Sequence, residues 1–290
     1  MKSHRVLFLA LGSFVTATFA AEPELLWEAH GLHSPESVVF DAGRNQFYVS
    51  NMATFGKDET AHDGFVARVS ADGKLLEEKW VTGLDNPKGL ALANGRLYAG
   101  DDVYLWEIDI AAGRIVGRYE PEDGPGDFND CTADPAGNVY VCSGRLGTVF
   151  RLHEGKFEAW YKLDKAKTGG PNGLLAEKDR LLLGGWSLRG ADGKEQLGHI
   201  STVAYADKAL GRIGTVPVAH IDGLEPDGKG GYTVCDWLTG DVLHVSADGV
   251  PTPIMKLHQG SADHTYLAAK KELVIPLMLD GVMRAYRWEP

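Results

Sequence analysis

The sequence predicts an all-β protein, a six-bladed β-propeller with four antiparallel strands per blade. Three observations predict it. One kind of hairpin-like segment recurs six times along the chain, a second kind follows each of the first five, and the sixth follower stops after a single strand that the N-terminal region can complete. Units of about 40–50 residues built from four short strands are the sequence signature of propeller blades. Helices are expected to be scarce, because 36 glycines punctuate the chain and helical spacing of apolar residues is rare.

The chain opens on MKSHR, continues with the apolar run VLFLALGSFV and reaches the small residues TATFA before AEPE. A basic start, a short apolar core and small residues ahead of a cut are the marks of a secretory signal over residues 1–20. The apolar run is too short to span a bilayer comfortably. A protein in the periplasm or secreted from the cell is expected, with no membrane attachment after cleavage and residues 21–290 forming the propeller. The formal net charge of −11 opposes contact with a phosphate backbone, so nucleic acid is not expected as a partner. Three cysteines, Cys131, Cys142 and Cys235, are too few for a disulfide framework and read as buried apolar fillers.

The six recurring segments are SPESVVFDAGRNQFYVSN, NPKGLALANGRLYAGDD, FNDCTADPAGNVYVCSG, GPNGLLAEKDRLLLGGW, IDGLEPDGKGGYTVCDW and SADHTYLAAKKELVIPL. Each is a short apolar strand, a turn rich in Gly, Asn or Asp, and a second strand. The followers, such as VARVSADGKLLEEKWV and VLHVSADGVPTPIMKL, turn on DG, AG or EG, as hairpins do. The last strand, VMRAYRWEP, lacks its partner, and ELLWEAHGLHSPE near the N-terminus resembles the fourth strand of the first blade. Pairing of the two ends in one blade removes the exposed edges of an open sheet and makes one domain of the whole.

Aligning the segments brings Glu36, Lys88, Asn129, Asn172, Asp222 and Asp263 to one position, at spacings of 52, 41, 43, 50 and 41 residues. The position opens the innermost strand, so the six side chains form a ring about the central channel. Oxygen donors from Glu36, Asn129, Asn172 and Asp222 converging on one axis suit a hard divalent cation, calcium first, with magnesium, manganese and zinc as alternatives. The other reading is a ring of hydrogen bonds across a water-filled channel.

The fragments PES, FND, PNG and IDG, one per blade and in this order, resemble the pattern of the gluconolactonase, senescence marker protein and luciferin-regenerating enzyme family over essentially the whole mature chain. The resemblance implies that Glu36, Asn172 and Asp222 are direct metal ligands and that Asn129 is a fourth ligand or a water and substrate contact. It implies hydrolysis of a small lactone or ester, with the metal polarising the carbonyl and bound water and with Asp222 as general base. Two departures stand out: Asp127 and Cys131 occupy positions where the family's lactonases commonly carry a sugar-contacting Arg and a Gly. A sugar lactone is therefore not implied by the match. A non-catalytic, metal-stabilised propeller that binds a partner, and a strictosidine-synthase-like or lyase chemistry on the same architecture, are the competing functions.

Other polar residues around the ring have two readings each. Lys88 binds a substrate carboxylate or carbonyl, repels the cation, or pairs with Asp263 or Asp130. Asp263 shares the ring and counts with Lys88 among the substrate-facing positions. Asp130 is a second carboxylate beside Asn129, either a substrate or base contact or a support for the turn. His264 is an auxiliary acid or base, or a core histidine. The two long spacings place extra residues between second and third strands, in NMATFGKDETAHD and WSLRGADGKEQLGH, which makes Asn51, His62, Trp186 and Arg189 candidate substrate contacts.

Overall fold

The computed structural model describes residues 22–55, 62–190 and 192–290. The expected signal over residues 1–20 lies outside them. Among the described residues there are six four-stranded antiparallel sheets arranged as the six blades. The first blade contains Pro35–Asp41, Gln46–Asn51, Gly64–Ser70 and Leu75–Leu84, from the inside outward. The second contains Leu90–Ala93, Arg96–Gly100, Leu105–Asp109 and Arg114–Tyr119, and the third Phe128–Ala133, Val139–Ser143, Thr148–His153 and Lys156–Lys162. The fourth is Pro171–Ala176, Arg180–Gly185, Ile200–Ala204 and Leu210–Ile213. The fifth is Ile221–Pro226, Tyr232–Asp236, Asp241–Val245 and Pro251–Lys256. The sixth takes Thr265–Leu267, Glu272–Leu277 and Val282–Arg287 from the C-terminus and its outer strand, Glu24–Ala29, from the N-terminus.

The blades stand because each pair of neighbours shares an apolar layer. Phe47, Val49 and Phe65 of the first blade meet Val274, Met283 and Ala285 of the sixth. Tyr140, Cys142 and Val149 of the third meet Leu174, Leu181 and Leu183 of the fourth. The period-2 alternation of the strands gives every inner strand two apolar faces, one for each neighbour. Burial of each large side chain in these layers contributes about 1.5–3 kcal/mol. Cys131, Cys142 and Cys235 are buried and unpaired, as their number suggested.

Helix is confined, among the described residues, to one turn over Lys165–Thr168, capped by the Asp164 carboxylate accepting from the Ala166 amide. The extra residues of the fourth blade form a small hairpin, Ser187–Arg189 with Glu195–Leu197. Those of the first blade fall partly outside the described residues.

Closure of the ring rests on the pairing of Glu24–Ala29 with Val282–Arg287, from Glu24 with Arg287 to Ala29 with Met283, with one irregularity between Leu25 and Trp27. Ion pairs Arg284–Glu28 and Arg287–Glu24 cross the same seam. Deleting residues 22–29 removes the burial of Leu26, Trp27 and Ala29 and bares the edge of the last strand. The expected result is a loss of about 5 kcal/mol or more and a melting temperature lower by about 10–20 °C, with self-association visible by light scattering. An unchanged melting curve from a monomeric truncated protein would show that the N-terminal strand does not close the ring.

Candidate functional site

The innermost strands begin with a shared irregularity. In the first, third, fourth and fifth blades the pairing slips between Pro35 and Val38, Phe128 and Cys131, Pro171 and Leu174, and Ile221 and Leu224. Each slip sets three inner-strand steps against two on the neighbour, a β-bulge with one extra residue. Bulges bend a strand and re-aim a side chain. The residues they carry are Glu36, Asn129, Asn172 and Asp222, which meet at the floor of a cavity of about 290 Å³ together with Lys88.

The residues that follow keep the axis narrow. A Cβ on Gly173 would lie 2.5 Å from the Asp222 carbonyl oxygen, and one on Gly223 would lie 2.3 Å from His264 Nδ1. Neither position accepts a side chain without displacing the next blade.

Around the floor three of the four side chains form a chain of hydrogen bonds. Asn129 Nδ2 donates to Asn172 Oδ1, and Asn172 Nδ2 donates to Asp222 Oδ1. The outer oxygens Glu36 Oε2 and Asp222 Oδ2 are buried and have no partner. Burial first, then Asp222 and Asp263, pushes the Glu36 carboxyl well above the usual carboxylate range, with Lys88 opposing. Asp222 is raised by burial and then by Asp263, against the hydrogen bond from Asn172. Two orphaned carboxylate oxygens beside two amide oxygens fit a hard cation. Among the described residues no three His, Cys, Asp or Glu side chains gather as a metal cluster. A cation at this floor would thus depend on the Asn129 and Asn172 amide oxygens.

Lys88 reaches the same cavity, but its partner is Asp102, at 2.8 Å, rather than Asp263 or Asp130. Nζ also donates to the Phe128 carbonyl at 3.4 Å, and Asn86 Nδ2 steadies the other Asp102 oxygen at 2.6 Å. Burial works against the ammonium, yet Asp102, with Glu36 and Asp127, lifts its pKa above the ordinary lysine value. Lys88 is therefore a fixed cation at the edge of the floor.

Several expected contacts lie elsewhere. Asp263 and Asp130 face a second cavity of about 230 Å³ farther along the channel, which Glu225 also lines. Asp263 accepts from Ser37 Oγ at 2.6 Å and its amide donates to the Glu36 carbonyl, tying the sixth blade to the first. Burial raises its pKa to about 7. Asp130 Oδ2 accepts from the Leu174 amide at 2.5 Å, so it links blades rather than meeting substrate at the floor. His264 is fully buried, with Nε2 bonded to Thr233 Oγ1 at 2.8 Å, and burial lowers its pKa to about 3. It is a neutral core histidine packed on Gly223.

Of the loop candidates, Trp186 lines the cavity. Arg189 instead borders a separate groove on the flank of the fourth blade and donates to the Gly193 carbonyl. His62 is exposed and bonds Asp85. Asn51 is sealed in its strand: Oδ1 accepts from the His33 amide at 2.8 Å and Nδ2 donates to the Val49 carbonyl. The same strand-end position holds Asp101, which accepts from the Asp85 and Asn86 amides, and Asp236, which accepts from the His220 amide. These three residues clamp the chain entering each blade, and the shared column Asn51, Asp101, Asp236 was the signal for it.

Sequence reasoning missed Met52, Phe55, Trp237 and Met278 as cavity walls. Three of them directly follow the second strand of a blade, as Trp186 does, so one column of the alignment held them.

Comparisons with known proteins place the architecture but not the activity. No family model and no curated protein matches the chain. Among solved structures, a gluconolactonase from Xanthomonas campestris is similar with a TM-score of 0.68 and 18% identity, covering 91% of this chain and 88% of that one. A virginiamycin B lyase from Staphylococcus aureus is similar with a TM-score of 0.63 and 12% identity, covering 92% of this chain and 99% of the other. At these identities the likeness shows the propeller fold alone.

Replacing Asn51 by Ala leaves the His33 amide without its acceptor, and the expected cost is about 1–3 kcal/mol in denaturant unfolding. Ligand binding at the floor should be unchanged. A stable Asn51→Ala protein with altered ligand affinity would return Asn51 to the site.

Proposed function

We propose that the protein is a metal-dependent hydrolase of a small lactone or ester. The observation that carries this reading is the convergence of Glu36, Asn129, Asn172 and Asp222 at the floor of one cavity, with Glu36 Oε2 and Asp222 Oδ2 buried and unpartnered. The order of these residues through the blades and the likeness to a gluconolactonase fold support it.

These four side chains would hold a divalent cation, calcium first, which would supply Lewis-acid polarisation of a carbonyl oxygen and of water. Asp222 fits the role of general base: with one carboxylate oxygen on the cation, the other would accept a proton from attacking water, and the Asn172 amide holds the carboxylate in place. Lys88, held by Asp102 at the rim of the floor, is placed to donate a hydrogen bond to a carbonyl or leaving oxygen. Asn129 orients Asn172 through its own amide. The likeness to a virginiamycin B lyase favours elimination as a second reading. Against it, no histidine lines the cavity among the described residues. The basic and apolar N-terminal run supports export to the periplasm or beyond, which N-terminal sequencing of the mature protein tests.

Two measurements test the site. Added cation should raise the melting temperature and chelation should lower it. Glu36→Gln and Asp222→Asn should each abolish that response, and Asp222→Asn should lower kcat/KM on a turned-over lactone by about 10²–10⁴-fold. Turnover by Asp222→Asn equal to that of the parent would remove Asp222 from the mechanism. A cation response with no turnover on any lactone or ester would leave a metal-stabilised binding protein.

The pH dependence follows from the raised carboxyls. Burial holds the Glu36 and Asp222 carboxyls above the usual carboxylate range in the cation-free protein, so a cation binding to them competes with protons. Affinity should rise with pH and weaken by up to about tenfold per unit, per proton displaced, as falling pH protonates the two carboxylates. Calorimetry in buffers of different ionisation enthalpy reads the proton release directly. A cation affinity constant between pH 5 and 8 would contradict the proton-holding ring.

A further inference from the structure

Above the polar floor the blades contribute a second tier, one residue each, from the position that follows the column of Asn51, Asp101 and Asp236. These residues are Met52, Asp102, Gly144, Trp186, Trp237 and Met278 in blade order. A shared backbone bond aims several of them alike: the amides of Met52, Trp186 and Met278 donate to the carbonyls of Ser34, Gly170 and Gly260 at the start of the same blade. The tier is strongly asymmetric. Across the fourth, fifth, sixth and first blades it is an unbroken apolar arc of two indoles and two thioethers, extended by Phe55. Trp186 and Trp237 stand with ring centroids 6.4 Å apart, and Met52, Met278, Phe55 and Trp237 pack as one cluster with Ala262. In the second blade the tier is polar, with Asp102 spent on Lys88. In the third blade it has no side chain, and a Cβ on Gly144 would meet only the Pro171 carbonyl oxygen at 3.9 Å.

A ring sugar presents a hydroxyl on nearly every carbon, and each hydroxyl taken from water into this arc would lose its hydrogen bonds, which costs about 1–3 kcal/mol apiece. Indole faces and thioethers offer hydrocarbon and aryl groups dispersion and apolar burial instead. We propose that the substrate is a lactone or ester bearing an alkyl or aryl substituent, not a polyhydroxylated one. The substituent lies along the Trp186, Trp237, Met278 and Met52 arc, the carbonyl sits over the four-donor floor, and the single ester oxygen faces Lys88. The absent side chain at Gly144 leaves the third blade, beside Trp186 and across the ring from Met278, open.

This inference rests on reading the cavity as a lactone or ester site, and its test separates the two. Lactams with propyl to hexyl side chains reproduce the ring without being hydrolysed, and tryptophan fluorescence reports their binding beside Trp186 and Trp237. Affinity should rise about fourfold per methylene until the arc is covered. Gluconolactam, the polyhydroxylated counterpart, should bind at least a hundredfold more weakly than the hexyl lactam. Trp237→Ala should flatten the chain-length gradient, and Trp186→Ala offers the same test should Trp237→Ala fail to fold, each monitored by calorimetry. Matched lactones should show the same gradient in kcat/KM. Affinity independent of chain length, stronger binding of gluconolactam, or no binding of any lactam would overturn the proposed ligand class. A lactam gradient without hydrolysis of any lactone would uphold the ligand class and remove the hydrolase reading instead.

Discussion

The pairing of the N-terminal strand with the last strand of the chain holds the rest of the structure in place. Six blades packed face to face through apolar layers define a channel only if the first and last are neighbours, and the strand Glu24–Ala29 makes them so. With the ring closed, every innermost strand starts at the same height about one axis. The bonds from Ser37 to Asp263 and from the Asp263 amide to Glu36 then lock the first and sixth blades at the level of the floor. An open sheet of the same strands would scatter Glu36 and Asp222 instead of bringing them to one cavity.

That common starting height creates the electrostatic tension of the molecule. Glu36, Asp130 and Asp222 are buried and Asp263 and Glu225 half-buried along one channel, and desolvation raises the pKa of each. Lys88 is the cation that shares the cavity with the ring, and Asp102 already claims it. Buried carboxylates are tolerated when they are hydrogen-bonded, protonated or bound to a cation. Asp130 and Asp263 follow the first route by accepting from neighbouring blades. Glu36 and Asp222 each keep one oxygen unpartnered, which separates the oxygens that carry structure from those open to a ligand.

The column read as a ring in the sequence was legible because one polar residue interrupts each apolar strand. The columns beside it were not read, although they were equally regular. Asn51, Asp101 and Asp236 close the second strands by accepting backbone amides, and a polar residue at a loop boundary does not reveal whether it faces a ligand or its own chain. Met52, Trp186, Trp237 and Met278 sit one residue farther on, where an apolar side chain reads as core in a linear sequence. Lys88 was recognised as a cation in the ring, but its partner was not, because Asp102 reaches it across the turn of its own blade.

The sequence by itself determined the repeat, the blade count, the borrowed strand and the set of six polar residues that share one position in the repeat. These follow from hydrophobic periodicity and turn chemistry, which are local and survive in one dimension. Tertiary structure alone decided which members of that set face a common cavity. It turned Glu36, Asn129, Asn172 and Asp222 to the floor through one extra residue per inner strand, directed Asp130 and His264 between blades, and raised an apolar arc above the floor. Side-chain direction at a bulge depends on how closely the next blade approaches, and that distance is set only when all six blades close on one another.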